Sequence, residues 1–115
     1  MPEGFKLRAH GRIKTRCILY YLGEQVSGTG SVRDISLAGW RIVGDHPVTE
    51  GTTLSLRIFL PTVQEPIHID AATVQWVKGR EFGLRITQMS PSSETAIKAF
   101  LQAALQEPGA PLAEE

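Results

Sequence analysis

The sequence predicts an all-β domain with one C-terminal helix, arranged as a six-stranded antiparallel β-barrel. Three observations predict it. Short apolar runs rich in Ile, Val, Leu and aromatic residues recur from residue 13 to residue 86, separated by breaks rich in Gly, Pro and Asp. Several of these runs alternate apolar and polar residues with period two, as half-buried strands do. After Ser90-Pro91 the spacing becomes helical. Strands of this kind followed by a single helix describe a small barrel with a helix packed on it.

Residues 1–7 carry no periodicity and read as an irregular arm. The segment Arg8-Ala9-His10-Gly11-Arg12 contains a glycine and no apolar stripe, and reads as a loop. Ile13 to Leu22 forms a first strand, and Gly23-Glu24-Gln25 turns the chain. Val26 to Arg33 forms a second strand, weakened by Gly28 and Gly30, residues that often mark bends in small barrels. Asp34 to Gly39 is a polar turn, because Asp and Ser side chains fold back on nearby backbone groups. Trp40 to Val43 is a short third strand.

Thr53 to Leu60 alternates cleanly, with Leu54, Leu56, Ile58 and Leu60 on one face. Ile67 to Val77 is a longer strand whose apolar phase switches. Ile67, Ile69 and Ala71 lead on odd positions, and Val74 and Trp76 follow on even ones, which predicts a bulge near Ala71-Ala72. Lys78-Gly79-Arg80 is a hairpin turn, and Phe82, Leu84 and Ile86 alternate in the last strand. Ser90 is placed to cap the helix, with Pro91 at its first position and Glu94 in its first turn. Ile97, Phe100, Leu101, Ala104 and Leu105 share one helical face. Pro108-Gly109 ends the helix, and residues 108–115 read as a disordered tail. The domain itself is expected over 8–107.

The 115 residues suffice for one domain with a modest core. No apolar run approaches the length of a membrane span, and Met1-Pro2-Glu3-Gly4-Phe5 has no signal-peptide character. Cys17 is the only cysteine, which excludes an internal disulfide and a cysteine-based zinc site. These features together lead to the expectation of a cytoplasmic protein. The formal net charge is zero, which argues against indiscriminate nucleic-acid binding. The charge is uneven, however. Lys6, Arg8, Arg12, Lys14 and Arg16 stand against Glu3 alone in the first sixteen residues, so an anion can be met locally.

Two short motifs carry chemistry. Arg8 and Arg12 form Arg-x-x-x-Arg ahead of the first strand, and Asp34-x-Ser36-x-x-Gly39 follows about twenty residues later. Arg12 and Arg16 have the same spacing, so Arg16 is the alternative partner of Arg12. Asp34 and Ser36 are two apart, which in an extended chain turns both to the same side. On its own, Asp34–Gly39 also reads as a plain turn between strands.

In this order and at this spacing the two motifs resemble those of the PilZ domain family. Trp76-Val77, Glu81-Phe82-Gly83-Leu84-Arg85-Ile86 and the closing helix are similar to the family's ending, and the resemblance spans roughly residues 6 to 105. It implies a receptor for the bacterial second messenger cyclic di-GMP, a binding module without catalysis that signals to a partner protein. The residues implied in binding are Arg8, Arg12, Asp34, Ser36 and Gly39, with Arg16 as the alternative arginine. Leu7, just ahead of Arg8, and Trp40, just after the motif, are further candidates.

The residue types suit that ligand. A guanine presents O6 and N7 as paired acceptors, which an arginine fork matches. Guanidinium also stacks on purines and pairs with phosphate oxygens. Asp34 can accept from the guanine N1–H and N2–H₂ edge or orient an arginine, and Ser36 can donate or accept. Gly39 lets backbone approach without a Cβ clash. Many family members carry a further arginine where this chain has Leu7, and that arginine is associated with binding a stacked pair of ligands. Leu7 has no donor, so one dinucleotide per chain is expected.

Two other readings stand beside this one. In one the chain is a PilZ-fold adaptor that binds no nucleotide; in the other it is a small barrel that binds single-stranded nucleic acid through its basic arm and aromatic residues. Zero net charge and few aromatics weaken the latter. Enzyme signatures are lacking. His10, His46 and His68 have no metal-ligand spacing, and no nucleophile elbow is present. No cofactor is expected. Trp40 either lines the ligand site or packs, and Trp76 belongs to the core or its rim.

Overall fold

β-branched, aromatic and leucine residues in alternation build strands where the sequence places them, because such side chains fit a pleated, half-buried surface. The computed structural model describes residues 12–61, 64–106 and 112–113. In chain order the elements are β1 (Arg12–Leu22), β2 (Ser27–Ile35), β3 (Gly39–Gly44), β4 (Thr53–Phe59), β5 (Ile67–Lys78), β6 (Glu81–Gln88), α1 (Pro91–Gln106) and β7 (Leu112–Ala113). Strand neighbours run β2-β3-β6-β5-β4-β1, and β1 pairs again with β2, which closes a six-stranded barrel. All of these pairings are antiparallel. Closure leaves no long free edge to recruit another chain.

Alternation decides what fills the barrel. Leu19, Val32, Ile35, Ile42, Leu54, Ile58 and Ala72 are fully enclosed, and Trp40 and Phe82 are nearly so. Each large apolar side chain buried in this way contributes about 1.5–3 kcal/mol relative to exposure. Tyr21 packs edge-to-face on Phe82 at 5.4 Å. Its hydroxyl donates to the His46 carbonyl at 2.6 Å and accepts from the His46 N–H at 2.9 Å. Burial pushes the Tyr21 phenol pKa up, and the two bonds satisfy its polar tip.

β5 carries two irregularities. The first lies between Ile69 and Ala72, which pair with Leu56 and Leu54 of β4, so β5 has one residue more than β4 there. It is the bulge expected near Ala71-Ala72, and it moves burial from Ile67 and Ile69 to Ala72 and Val74. The second lies between Val74 and Trp76, where Val74 pairs with Leu84 and Trp76 with Gly83. This extra residue turns Trp76 away from the phase of Val74. Val74 is therefore buried, whereas Trp76 faces out and is 39% exposed.

The helix forms as expected. Ser90 Oγ accepts from the Ser93 N–H at 3.1 Å, and the Ser90 carbonyl accepts from the Glu94 N–H at 2.9 Å. Ile97 and Leu101 are buried. Ser93 Oγ donates to the His68 carbonyl at 2.8 Å and ties the start of the helix to β5. Within the stretch expected to be disordered, Leu112 and Ala113 instead pair with Ile13 and Arg12. The reason is local: pairing of β1 with β4 begins only at Ile18, so β7 covers an edge of β1 that would otherwise be bare.

Candidate ligand-binding site

The turn between β2 and β3 is clamped by its own polar groups. Ser36 N–H donates to the Gly39 carbonyl at 3.1 Å. Ser36 Oγ donates to the same carbonyl at 2.8 Å and accepts from the Gly39 N–H at 3.0 Å. Trp40 Nε1 donates to the Ser36 carbonyl at 3.1 Å. Ser36 is therefore buried, with its hydroxyl proton committed inside the turn. Trp40 lies in the core, at 2% exposure, and fixes the turn from beneath instead of lining a ligand surface. A Cβ on Gly39 would stand 2.7 Å from the Leu84 carbonyl oxygen, so glycine here lets β3 approach the backbone of β6. Ser36 and Gly39 of the Asp-x-Ser-x-x-Gly pattern thus fix the shape of the turn.

Asp34 is different. An irregularity in β2 between Val32 and Asp34 interrupts the alternation, so Asp34 and Ile35 are both buried in succession. Asp34 pairs in register with Lys14 of β1 and with Arg41 of β3. Arg41 pairs with Gly83 of β6, and Gly83 with Trp76 of β5. Register partners share a face, so Lys14, Asp34, Arg41, Gly83 and Trp76 form one row across five strands on the outside of the barrel. A Cβ on Gly83 would run into the Trp76 indole, so the ring lies over that glycine.

Charge within the row is arranged around Arg41. Its Nε donates to Asp34 Oδ2 at 2.5 Å, and its Nη1 donates to Glu81 Oε2. These contacts push the Arg41 pKa further up, through Asp34 first and then Glu81. Asp34 is only 6% exposed. Its Oδ1 is buried and has no hydrogen-bond partner among the described residues, and the same holds for Nε of the preceding Arg33. A buried unpaired acceptor costs about 1–3 kcal/mol, and a donor that reaches Oδ1 recovers it.

The start of β1 lies beside this turn. Ile13 pairs with Ile35 and Lys14 with Asp34, so Arg12 enters the sheet at the level of the motif turn. Arg16 is exposed and lies within the register shift between Lys14 and Cys17, where it has no in-register partner on β2. The backbone thus brings Arg12, Asp34, Ser36 and Gly39 to one end of the β1–β2–β3 face. Leu7 and Arg8 lie outside the described residues. Sequence reasoning missed Arg41, Glu81 and the outward turn of Trp76. Buried Trp40 and Ile42 on either side of Arg41 are the signal that could have placed it outside.

Among the described residues, no group of three His, Cys, Asp or Glu side chains is placed to hold a metal ion. No helix among them is long and apolar enough to cross a membrane.

A closed six-stranded antiparallel barrel with one C-terminal helix, carrying a clamped Asp-x-Ser-x-x-Gly turn beside the first strand, defines a class of small β-barrel domains. The PilZ domain family matches residues 6–103, and the chain belongs to that family, a family of cyclic di-GMP receptors. The inhibitor of motility of Bacillus subtilis (MotI/DgrA) is similar in fold, with a TM-score of 0.69 at 17% identity over 88% of this chain. The chain spans 53% of that protein, about half its length. The PilZ domain of CeSA, from a cellulose-synthesizing bacterium, is similar with a TM-score of 0.64 at 16% identity, over 84% of this chain and 98% of that one. No curated protein matches the chain in sequence.

Proposed function

We propose that this domain is a cytoplasmic receptor for cyclic di-GMP that passes the signal to a partner protein and performs no catalysis. The observation that carries this reading is the Asp34 carboxylate, held by Arg41 on one oxygen and, among the described residues, unpartnered on the other, beside the strand that Arg12 begins. Guanine offers N1–H and N2–H₂ as adjacent donors, which match a carboxylate edge. Oδ1 is covered, so the donor reaches it when a neighbouring side chain moves aside. Arg12, with Arg8 or Arg16, supplies the cationic fork for phosphate oxygens or for guanine O6 and N7. Trp76, at the other end of the row, offers a flat indole for a base to stack on. Ser36 and Gly39 keep the turn in the shape that presents these groups.

Titration with cyclic di-GMP and with an unrelated oligonucleotide, each at two salt concentrations, tests the reading. The dinucleotide is expected to bind saturably, with modest salt dependence and no linear product. An oligonucleotide held through phosphates alone would lose affinity steeply with salt. Preferential binding of the oligonucleotide would refute the proposal.

A further inference from the structure

A second outer surface is not used by the Asp34 row. Ile18, Tyr20 and Leu22 point outward from β1 and are 55%, 47% and 58% exposed, and Phe59 of β4 is 37% exposed. Ile18 pairs with Phe59, and Tyr20 meets the Phe59 ring edge-on at 5.3 Å. The four side chains therefore form one continuous apolar ridge. Single exposed apolar residues are ordinary, but a contiguous group of this kind marks an interaction surface. Next to the ridge is a depression of about 180 Å³, with Tyr20, Ser55, Arg57, His68 and Asp70 among its walls.

We propose that this face of β1, β4 and β5 is the contact between two copies of the chain. A two-fold interface needs a surface complementary to itself, in which residue i meets j and j meets i. This face carries a ridge and a depression side by side. It also carries one full charge of each sign, on Arg57 and Asp70. A two-fold axis through the face sets the ridge of each copy against the depression of the other, and Arg57 of each copy near Asp70 of the other. A face of one sign would repel its own copy; this one does not. None of its residues belongs to the Asp34 row.

Sedimentation equilibrium of the full chain, from low to high micromolar concentration, tests this. The wild-type chain is expected to dimerise. Ile18→Glu should weaken association about tenfold or more, since a charge in a desolvated apolar contact costs at least the ~1.4 kcal/mol that a factor of ten represents. Arg57→Asp and Asp70→Arg should each weaken it, and the double exchange should restore much of the loss. These positions are exposed, and circular dichroism confirms that each variant folds. A chain that stays monomeric at high micromolar concentration assigns the face to another partner and overturns the proposal. A dimer that Ile18→Glu leaves intact overturns it as well, as does a double exchange no tighter than the single ones.

Discussion

Arg41 Nε donates to Asp34 Oδ2 at 2.5 Å across the register of β2 and β3, so a buried carboxylate on one strand is held by a half-exposed guanidinium on the next. The guanidinium is itself held from β6 by Glu81. The carboxylate that the sequence motif supplies is therefore positioned by two residues outside the motif.

Replacing that guanidinium with an uncharged chain of similar length, Arg41→Met, is expected to leave Asp34 buried without a cation. Loss of stability should be about 1–3 kcal/mol, the cost of an unsatisfied buried polar group, and cyclic di-GMP binding should weaken with it. Urea unfolding and calorimetry measure the two effects. In the Arg41→Met background, Asp34→Asn should recover part of the stability, because the unpaired charge is gone, without recovering affinity.

The clamped turn sets two motif positions, Ser36 and Gly39, apart from the third, Asp34. Ser36→Ala removes two hydrogen bonds to Gly39, each worth about 0.5–1.5 kcal/mol net. Gly39→Ala drives a Cβ against the Leu84 carbonyl, and overpacking of this kind costs about 1–3 kcal/mol. Both should lower the urea midpoint. Asp34→Ala should instead lower affinity by more than its effect on stability accounts for. A Ser36→Ala protein of unchanged stability would contradict the account of the turn.

Trp76→Ala is expected to lower affinity for cyclic di-GMP by about 1–3 kcal/mol, the usual worth of a base stacked on an aromatic ring. Trp76 is 39% exposed and packs over Gly83, so some stability is lost as well, and affinity is compared in protein shown to be folded. Quenching of tryptophan fluorescence on ligand addition, retained in Trp40→Phe and lost in Trp76→Ala, would assign the contact to the outer ring. An unchanged affinity in Trp76→Ala would remove that ring from the site.

The sequence was most legible where one local rule decides the outcome. Alternation placed the core of β4, the phase switch placed the bulge near Ala71-Ala72, and Ser90-Pro91 marked the helix cap. It was least legible where register decides. Arg41 looks like any strand arginine until its pairing with Asp34 and Gly83 is known. Trp76 was placed on the apolar phase of Val74, and only the second irregularity in β5 turns it outward. Ser36 was read as able to donate or accept toward a ligand, whereas its hydrogen bonds to Gly39 inside the turn follow from the fold. Leu112 and Ala113 gave no strand signal, because their pairing depends on the bare edge of β1.

Asp45 sets a pH dependence separate from ligand. Its carboxylate accepts from His46 Nδ1 at 2.7 Å and from the Thr29 N–H at 2.9 Å. These hold its pKa below the usual value, His46 first and Thr29 next. The folded state therefore protonates Asp45 less readily than the unfolded state. The resulting stability is present above the ordinary aspartate value of about 3.9 and is lost as pH falls through the lower, folded value. Asp45→Asn keeps an acceptor for Thr29 and removes the titration. Its stability should fall short of wild type near pH ~6 and converge with it near pH ~2, as urea midpoints would show. An equal gap at both pH values would contradict this.

Calorimetric titration of cyclic di-GMP into the wild-type chain and into folded Arg12→Ala and Asp34→Ala variants tests the receptor reading most directly. The account predicts saturable binding to wild type at one dinucleotide per chain. It predicts a loss of about 1.5–3 kcal/mol for each charge-assisted contact removed. Arg8→Ala and Arg16→Ala, measured beside them, identify the second arginine of the pair. No saturable heat with wild type at high micromolar ligand, or near-normal affinity in a folded Arg12→Ala protein, would contradict it.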